Sequence, residues 1–122
     1  MKKETPFNLE EQSEILVERF QETMKNSFGA LIVLWSIEKR KRASSKEIKE
    51  DLRDFFRGAL EYNYTSFYRL LSRLRDDFKV IKEVEREKAK GPERIYYSLT
   101  PLGKLVLKKT ISRCVTPLKN LT

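Results

Sequence analysis

A change of hydrophobic period at Phe78 restricts the possible folds of this chain more than any other pattern in its sequence. Up to that residue, apolar side chains recur at the spacing of one helix face: Phe67, Leu70, Leu71, Leu74 and Phe78. Beyond it, β-forming residues over 80–84 and 94–99 flank a Gly-Pro turn, which is the pattern of a hairpin. The sequence therefore predicts a helix over about 63–78 and a two-stranded hairpin over about 80–99.

Two amphipathic stretches precede this unit. A first helix is predicted over about 9–26, with Asn8 as its N-terminal cap, because apolar residues recur there at helical spacing: Leu9, Leu16, Phe20 and Met24. Asn26 and Ser27 interrupt that pattern. The denser apolar run that follows predicts a second, largely buried helix from Phe28 to the basic cluster at 39–42.

Two further helices are delimited by capping residues. Ser44 and Glu47 have the spacing of a capping box and predict a third helix over about 45–57, which Gly58 ends. Its buried stripe is expected to be Ile48, Leu52, Phe55 and Phe56. Thr100 followed by Pro101 predicts the start of a last helix, with Leu102, Leu105, Val106 and Ile111 buried. Pro117 is expected to end helical structure.

The order of these elements indicates a fold that is mainly α with a small β-hairpin. From the second helix on, it is the order of a winged helix-turn-helix, with one helix added at the N-terminus. We expect residues 1–27 to form a dimerisation arm through Leu9, Leu16, Phe20 and Met24. Residues 28–116 are expected to form the DNA-binding domain, and residues 117–122 a C-terminal tail.

The distribution of charge separates the arm from the rest of the chain. The net charge of the 122 residues is +8. Residues 1–37 contain 4 basic and 6 acidic groups, whereas residues 38–122 contain 22 basic and 12 acidic groups. A basic body favours a polyanionic partner, although a solvated surface that keeps the protein soluble has the same composition.

The helix over about 63–78 is the candidate recognition helix. Its polar face has short hydroxyl side chains and arginines, which suit a major groove that admits one α-helix. The candidate contacts are Tyr64, Thr65, Ser66, Tyr68, Arg69, Ser72 and Arg73. Arginine grips guanine bidentately, and the tyrosine hydroxyls suit phosphates. An ordinary amphipathic helix with a solvated face has similar residues, so this pattern alone leaves both interpretations open.

The hairpin is the candidate wing. Its candidate contacts to phosphates or to the minor groove are Arg86, Lys88, Lys90 and Arg94. Interspersed glutamates dilute this charge, and lysines on an exposed hairpin also prevent edge-to-edge aggregation. Of Tyr96 and Tyr97, which point to alternate faces, one is expected to pack into the core.

Further basic residues stand before and within the third helix. Lys46 and Lys49 are candidate phosphate contacts near its start. The cluster at 39–42 suits either a phosphate clamp or a helix C-terminus that balances its dipole.

The same residues disfavour catalysis, cofactors and membranes. The chain has no histidine to act as a base near neutral pH, no set of Cys and His residues for zinc, and no cluster of glycines for a phosphate loop. We therefore expect no enzymatic activity, no metal and no cofactor. The longest apolar run, 30–35, is far shorter than the ~20 residues that span a bilayer. The single Cys114 fits a reducing compartment, so the prediction is a cytoplasmic protein.

Two stretches of the chain resemble the PadR family of winged-helix regulators. Residues 64–74, Tyr-Thr-Ser-Phe-Tyr-Arg-Leu-Leu-Ser-Arg-Leu, are similar to its recognition helix. Residues 91–103, Gly-Pro-Glu-Arg-Ile-Tyr-Tyr-Ser-Leu-Thr-Pro-Leu-Gly, are similar to its wing and the entry to its last helix. The resemblance implies a dimeric regulator that binds an inverted repeat, with a small-molecule effector in some members. The broader MarR-like group remains an alternative relationship.

Together these patterns predict a sequence-specific, double-stranded-DNA-binding transcriptional regulator that acts as a homodimer and represses transcription. The alternative is a winged helix used for protein–protein interaction without sequence-specific DNA binding. The acidic residues of the hairpin favour that alternative. The residues identify neither the operator nor an effector.

Overall fold

The fold is described by a computed structural model over residues 8–87 and 94–121. It is mainly helical, with one small sheet. The helices are α1 (Leu9–Arg40), α2 (Ser45–Phe55), α3 (Tyr64–Ser72) and α4 (Pro101–Thr110), and the strands are β1 (Ala43–Ser44), β2 (Ile81–Glu87) and β3 (Arg94–Leu99). A π-helical turn, Arg73–Asp77, extends α3; a second, Ile111–Val115, and a 3₁₀ helix, Thr116–Leu121, extend α4. This arrangement confirms the predicted winged helix-turn-helix with an N-terminal helical extension.

The helices begin at the residues that their capping signals indicate. Ser44 and Glu47 form the expected capping box, because each side chain accepts a hydrogen bond from the other residue's backbone N–H. Asn8 and Thr100 likewise cap α1 and α4 through their side-chain oxygens. At α3, where the sequence offers Asn63 or Thr65 as the cap, Asn63 takes that role. These short-range interactions supply partners for backbone donors that a helix start leaves unsatisfied.

The predicted break at Asn26 and Ser27 is wrong, because α1 is one helix of 32 residues. The loop before α3 packs against this stretch: the Tyr62 hydroxyl donates to the Lys25 carbonyl at 2.7 Å. A Cβ atom at Gly29 would overlap that hydroxyl, so glycine permits the close approach. Tertiary contacts therefore lie where the local helix propensity is low. The predicted boundary between the N-terminal arm and the domain, at residues 27 and 28, falls inside α1.

The sheet has three antiparallel strands in the order β1-β3-β2. The sequence predicts β2 and β3 but misses β1, which pairs Ala43 with Tyr97 and Ser44 with Tyr96. Tyr97 is buried and Tyr96 is partly exposed, as the expected alternation requires. Pairing with β1 fixes the base of the hairpin to the start of α2.

The core lies between the C-terminal half of α1, the buried faces of α2 and α3, and the sheet. Its fully buried large side chains include Val33, Ile37, Ile48, Leu52, Phe67, Leu71 and Ile81. A buried carboxylate also joins α1 to α2: Asp51 accepts from Ser36 at 2.6 Å and from two nitrogens of Arg40 at 2.9 Å each. All these contacts hold α2 and α3 in a fixed relation to α1.

Several residues expected in the core are exposed. Phe78 is 57% exposed, because the π-helical turn changes the helical phase before it. Phe55, in the last turn of α2, is also exposed, and its ring contacts the partly exposed Trp35 with centroids 6.4 Å apart. In α4, Leu102 and Leu105 are exposed, whereas Gly103 and Leu107 are buried. These four expectations of burial, for Phe55, Phe78, Leu102 and Leu105, are therefore wrong.

The end of the described chain also differs from expectation, since helical backbone continues past Pro117 to Leu121. The chain turns after α2 near Gly58 as predicted, but α2 itself ends at Phe55 and Arg57 is the first left-handed residue, with a φ of 51°. Gly58 follows with a φ of 77°, and its N–H donates to the Arg53 carbonyl at 3.0 Å. No helix in the part of the chain described is long and apolar enough to cross a membrane.

Candidate nucleic-acid interface

The two faces of α3 separate core packing from solvent. Phe67, Leu70 and Leu71 are buried against the rest of the domain. With about 100° between successive residues, Thr65, Arg69 and Ser72 lie opposite that buried face. Two flanks complete the exposed surface: Tyr64 and Tyr68 on the α2 side, Ser66 and Arg73 on the α1 side. All seven side chains predicted to contact DNA on this helix are exposed.

The two arginines of this face have no carboxylate partner in the part of the chain that the structure describes. Neither Arg69 nor Arg73 forms an ion pair with any residue at 8–87 or 94–121. Arg75, two residues after Arg73, differs: it donates to Asp76 at 2.8 Å and to Glu83 at 2.6 Å. Arg69 and Arg73 are therefore available to an external acceptor, whereas Arg75 holds the hairpin against the end of the helix.

The α2 flank is an ordered aromatic surface. The Tyr64 and Tyr68 rings are stacked, with centroids 6.0 Å apart and planes 6° from parallel. The Lys49 ammonium lies 4.0 Å from the Tyr64 ring centroid. Cation–π attraction of this kind restrains both partners. Lys49, a candidate phosphate contact, thus also orients a tyrosine of the recognition helix.

A cavity of about 610 Å³ separates α2 from α3. Lys46, Lys49 and Arg53 line it from one face of α2, and Tyr64, Phe67 and Tyr68 line it from α3. Leu60, Glu61 and Tyr62 close the side formed by the connecting loop, and Arg94 reaches it from β3. Sequence reasoning missed Arg53 and the loop residues, although the spacing of 46, 49 and 53 indicates a shared helix face.

Glutamates of β2 form ion pairs with arginines of the same chain. Glu83 receives hydrogen bonds from Arg75 and from Arg86, and Arg42 pairs with Glu85. The Arg42 guanidinium also lies 4.3 Å from the Tyr96 ring centroid. Arg86 is therefore held by a carboxylate, while Arg94 is exposed at the start of β3. Lys88 and Lys90, the other predicted wing contacts, lie outside the described residues.

The basic cluster at 39–42 is engaged with carboxylates. Arg40 contacts Asp51 and Glu47, Lys39 lies 3.8 Å from Asp51, and Lys41 pairs with Glu38. The hydrogen bonds from Arg40 hold the pKa of the Asp51 carboxyl below its usual range. This geometry favours a structural role for the cluster over a phosphate clamp.

The N-terminal half of α1 presents apolar side chains to solvent. Leu9 is 83% and Phe20 is 67% exposed, and Leu16 and Met24 are exposed as well. Ile15 and Val17 enlarge this apolar surface. Large exposed apolar surfaces are typical of interaction sites. The surface therefore contains all four residues predicted to pair two subunits.

Within residues 8–87 and 94–121, no group of three or more Asp, Glu, Cys or His side chains is placed to hold a metal ion. Cys114 is exposed.

Comparisons with known proteins agree with this architecture. The family model of the transcriptional regulator PadR-like family matches residues 33–109. The chain is similar in structure to a PadR-like transcription factor from Bacteroides fragilis, with a TM-score of 0.61, 22% identity, and coverage of 85% of this chain and 95% of that one. A search of curated proteins gave no match.

Two further solved structures are similar to the chain. A transcriptional regulator from Clostridium thermocellum has a TM-score of 0.61 and 20% identity, covering 82% of this chain and 94% of that one. A PadR family transcriptional regulator from Eggerthella lenta has a TM-score of 0.63 and 17% identity, covering 92% and 90%. At such identities these structures support the fold alone.

Proposed function

Since this chain belongs to the PadR-like family of transcriptional regulators, and is thus a DNA-binding regulator, we propose that it is a homodimeric, sequence-specific repressor. One observation carries the proposal: α3 presents hydroxyl groups and two arginines without ion-pair partners among the described residues on a face that the domain leaves uncovered. In this proposal α3 enters the major groove, and Arg69 and Arg73 read base edges there. Thr65, Ser66 and Ser72 contact bases or phosphates.

The surroundings of α3 supply contacts to the DNA backbone. Lys46 of α2 and Arg94 of β3 line the cavity beside α3, and neither forms an ion pair among the described residues. Phosphate contacts of this kind fix orientation and add affinity without reading sequence. The hairpin lies against the flanking backbone or minor groove. Two of its glutamates, Glu83 and Glu85, pair with arginines of the same subunit, which weakens the reason for a purely protein-binding role.

The exposed apolar surface of α1 supports the homodimer. In our proposal Leu9, Leu16, Phe20 and Met24 pack against a second copy, together with Leu102 and Leu105 of α4. Two recognition helices then lie about one helical turn of DNA apart, roughly 34 Å, which requires a palindromic operator.

Selection of bound sequences from random duplex DNA, with the mass of the complex measured alongside, tests this proposal. A palindromic product and a mass of two chains per duplex are expected. Binding should weaken by roughly 10³–10⁵-fold between 50 and 200 mM salt if the dimer makes 6–10 phosphate contacts. Absence of any preferred sequence, or one chain per duplex, contradicts the proposal.

Single substitutions distinguish the two kinds of contact. Arg69→Ala and Arg73→Ala should reduce discrimination between operator and mismatched duplexes by about 1–3 kcal/mol. Arg94→Ala should weaken binding to all duplexes alike and lower the salt slope by about 1. Lys108→Ala, a cation on the exposed face of α4, is the matched control and should change neither quantity.

A further inference from the structure

A second cleft lies on the other side of the recognition helix, between α1 and α3. Lys25 and Asn26 line it from α1, and Ser66, Arg69 and Arg73 line it from α3. Its volume of about 200 Å³ is below the roughly 300–1,000 Å³ of sites that enclose an organic ligand. A cleft of this size suits a single small polar group, and the side chains that line it decide which group that is.

Tyr62, in the loop before α3, holds the two walls of the cleft together. Its hydroxyl donates to the Lys25 carbonyl at 2.7 Å and occupies the space that a Cβ atom at Gly29 would fill. Asn63, the next residue, caps α3, since its side chain accepts from the Ser66 N–H at 2.8 Å. The cleft is therefore formed before any ligand binds, so that little conformational entropy is lost on binding.

The cleft is positively charged. Three cations line it, Lys25, Arg69 and Arg73, against one carboxylate, Glu22. Arg69 and Arg73 form no ion pair with the described residues. The Lys25 ammonium lies 3.4 Å from a carboxylate oxygen of Glu22, whose side chain is 72% exposed. Because such an exposed pair is weak and an ammonium has three N–H donors, Lys25 can also bind an external anion.

Two neutral donors complete the lining. The Asn26 amide and the Ser66 hydroxyl belong to exposed side chains, one on each wall. Together with lysine and arginine, such groups contact phosphate oxygens in protein–DNA complexes. The α3 wall is also the α1 flank of the recognition surface, so bound DNA brings its own phosphates to this place.

We propose that this cleft seats one phosphate group of the DNA backbone, bound by Lys25, Asn26 and Ser66. The inference rests on the proposed function, in which Arg69 and Arg73 read base edges next to that phosphate. A phosphate fixed between α1 and α3 sets the position of the recognition helix along the groove. The middle of α1 is therefore a DNA contact, although the sequence indicates only subunit pairing for residues 1–27.

Two substitutions test the contact, and both keep the Lys25 carbonyl that binds Tyr62. Lys25→Gln removes one cation and should lower the salt slope by about 1. Asn26→Asp adds a negative charge at nearly unchanged volume and should weaken binding to all duplexes about tenfold or more, because a carboxylate repels the phosphate. Lys108→Gln and Asn120→Asp make the same changes at exposed residues that do not line the cleft. Both controls should bind like the unchanged protein.

A duplex in which an uncharged methylphosphonate replaces one backbone phosphate locates the contact. Each position of a selected operator is replaced in turn, in both half-sites alike, and binding is followed by the anisotropy of the labelled duplex. One position should weaken binding of the unchanged protein about tenfold but should not weaken binding of Asn26→Asp. If every position affects the two proteins equally, no phosphate depends on α1 and the cleft assignment is overturned.

Inorganic phosphate tests the other source of the same chemical group. Titrated into the protein without DNA and followed by calorimetry, it should show no saturable binding, since a single partly exposed contact is weak. Saturable binding that Asn26→Asp abolishes would assign the cleft to a free anion and overturn the DNA contact. Operator binding with equal sensitivity in both proteins refutes the cleft assignment alone, whereas absence of binding to any duplex refutes the proposed function and this inference with it.

Discussion

Replacing Gly103 by alanine places a methyl group against the backbone at the base of the hairpin. The added Cβ would overlap the Val80 carbonyl oxygen and lie 2.9 Å from the carbonyl carbon, well inside the ~3.5 Å of a normal carbon contact. That oxygen also accepts a hydrogen bond from the Thr100 N–H at 3.0 Å. The substitution must therefore move the start of α4 away from the first residues of the hairpin.

The cost follows from three contributions. Overpacking costs about 1–3 kcal/mol, and weakening of the hydrogen bond to Val80 adds about 1 kcal/mol. Alanine in place of glycine within a helix returns about 1 kcal/mol. Because the obstacle is backbone and cannot rotate away, we expect a net loss of about 2–3 kcal/mol in the free energy of unfolding.

Guanidinium unfolding followed by circular dichroism measures this loss. Gly58→Ala is the control: Gly58 has a φ of 77°, but no atom of another described residue lies within 4 Å of an added Cβ, so only its left-handed backbone is penalised, by about 1–2 kcal/mol. Helix propensity alone predicts that Gly103→Ala stabilises the protein. A stabilised Gly103→Ala variant, or one less affected than Gly58→Ala, would refute the close approach.

Three further predictions follow from the ion pairs and from Tyr62. Arg40 lowers the pKa of Asp51. The contribution of the ionised Asp51 to the free energy of unfolding is therefore complete above about pH 4 and is lost as the pH falls through the pKa of the folded state. Asp51→Asn should flatten the acid limb of a curve of stability against pH. Burial raises the pKa of Tyr62 to about 12. The contribution of the neutral Tyr62 to the free energy of unfolding is therefore complete below about pH 10 and is lost as the pH rises towards 12. In alkaline unfolding, the stability of Tyr62→Phe should depend less on pH than that of the unchanged protein. Glu83→Gln weakens the ion pair by which Arg75 holds the hairpin against the end of the helix, so the free energy of unfolding should fall by up to about 1 kcal/mol; an unchanged midpoint in guanidinium unfolding contradicts this.

Sequence patterns were reliable wherever the deciding interaction spans a few residues. The capping box needs only the side chains and backbone N–H groups of Ser44 and Glu47, and the turn near Gly58 needs only neighbouring backbone, so both places are predicted from the local sequence. The turn from helix to hairpin after residue 78 likewise follows from the change in hydrophobic period. Residues 64–74 and 91–103 also gave the correct family resemblance, since the family match at 33–109 covers all of both.

Long-range packing accounts for the errors. β1 has two residues and exists because β3 pairs with it, so no local pattern predicts it. Asn26 and Ser27 stay helical in a stretch that Tyr62 packs against from the loop before α3. Phe78 leaves the buried stripe because a π-helical turn, which the spacing does not show, alters the phase.

In the candidate nucleic-acid interface, too, some features depend on local spacing and others on tertiary contacts. The amino-acid sequence alone determined which face of α3 is polar, because helical spacing places Arg69 and Arg73 away from Phe67 and Leu70. Only the tertiary structure decided which cations remain available, since carboxylates distant in the chain pair with Arg40 and Arg42, and none reaches Arg69 or Arg73 among the described residues. An ion pair requires both charges within about 4 Å, and sequence spacing does not specify that distance between separate elements.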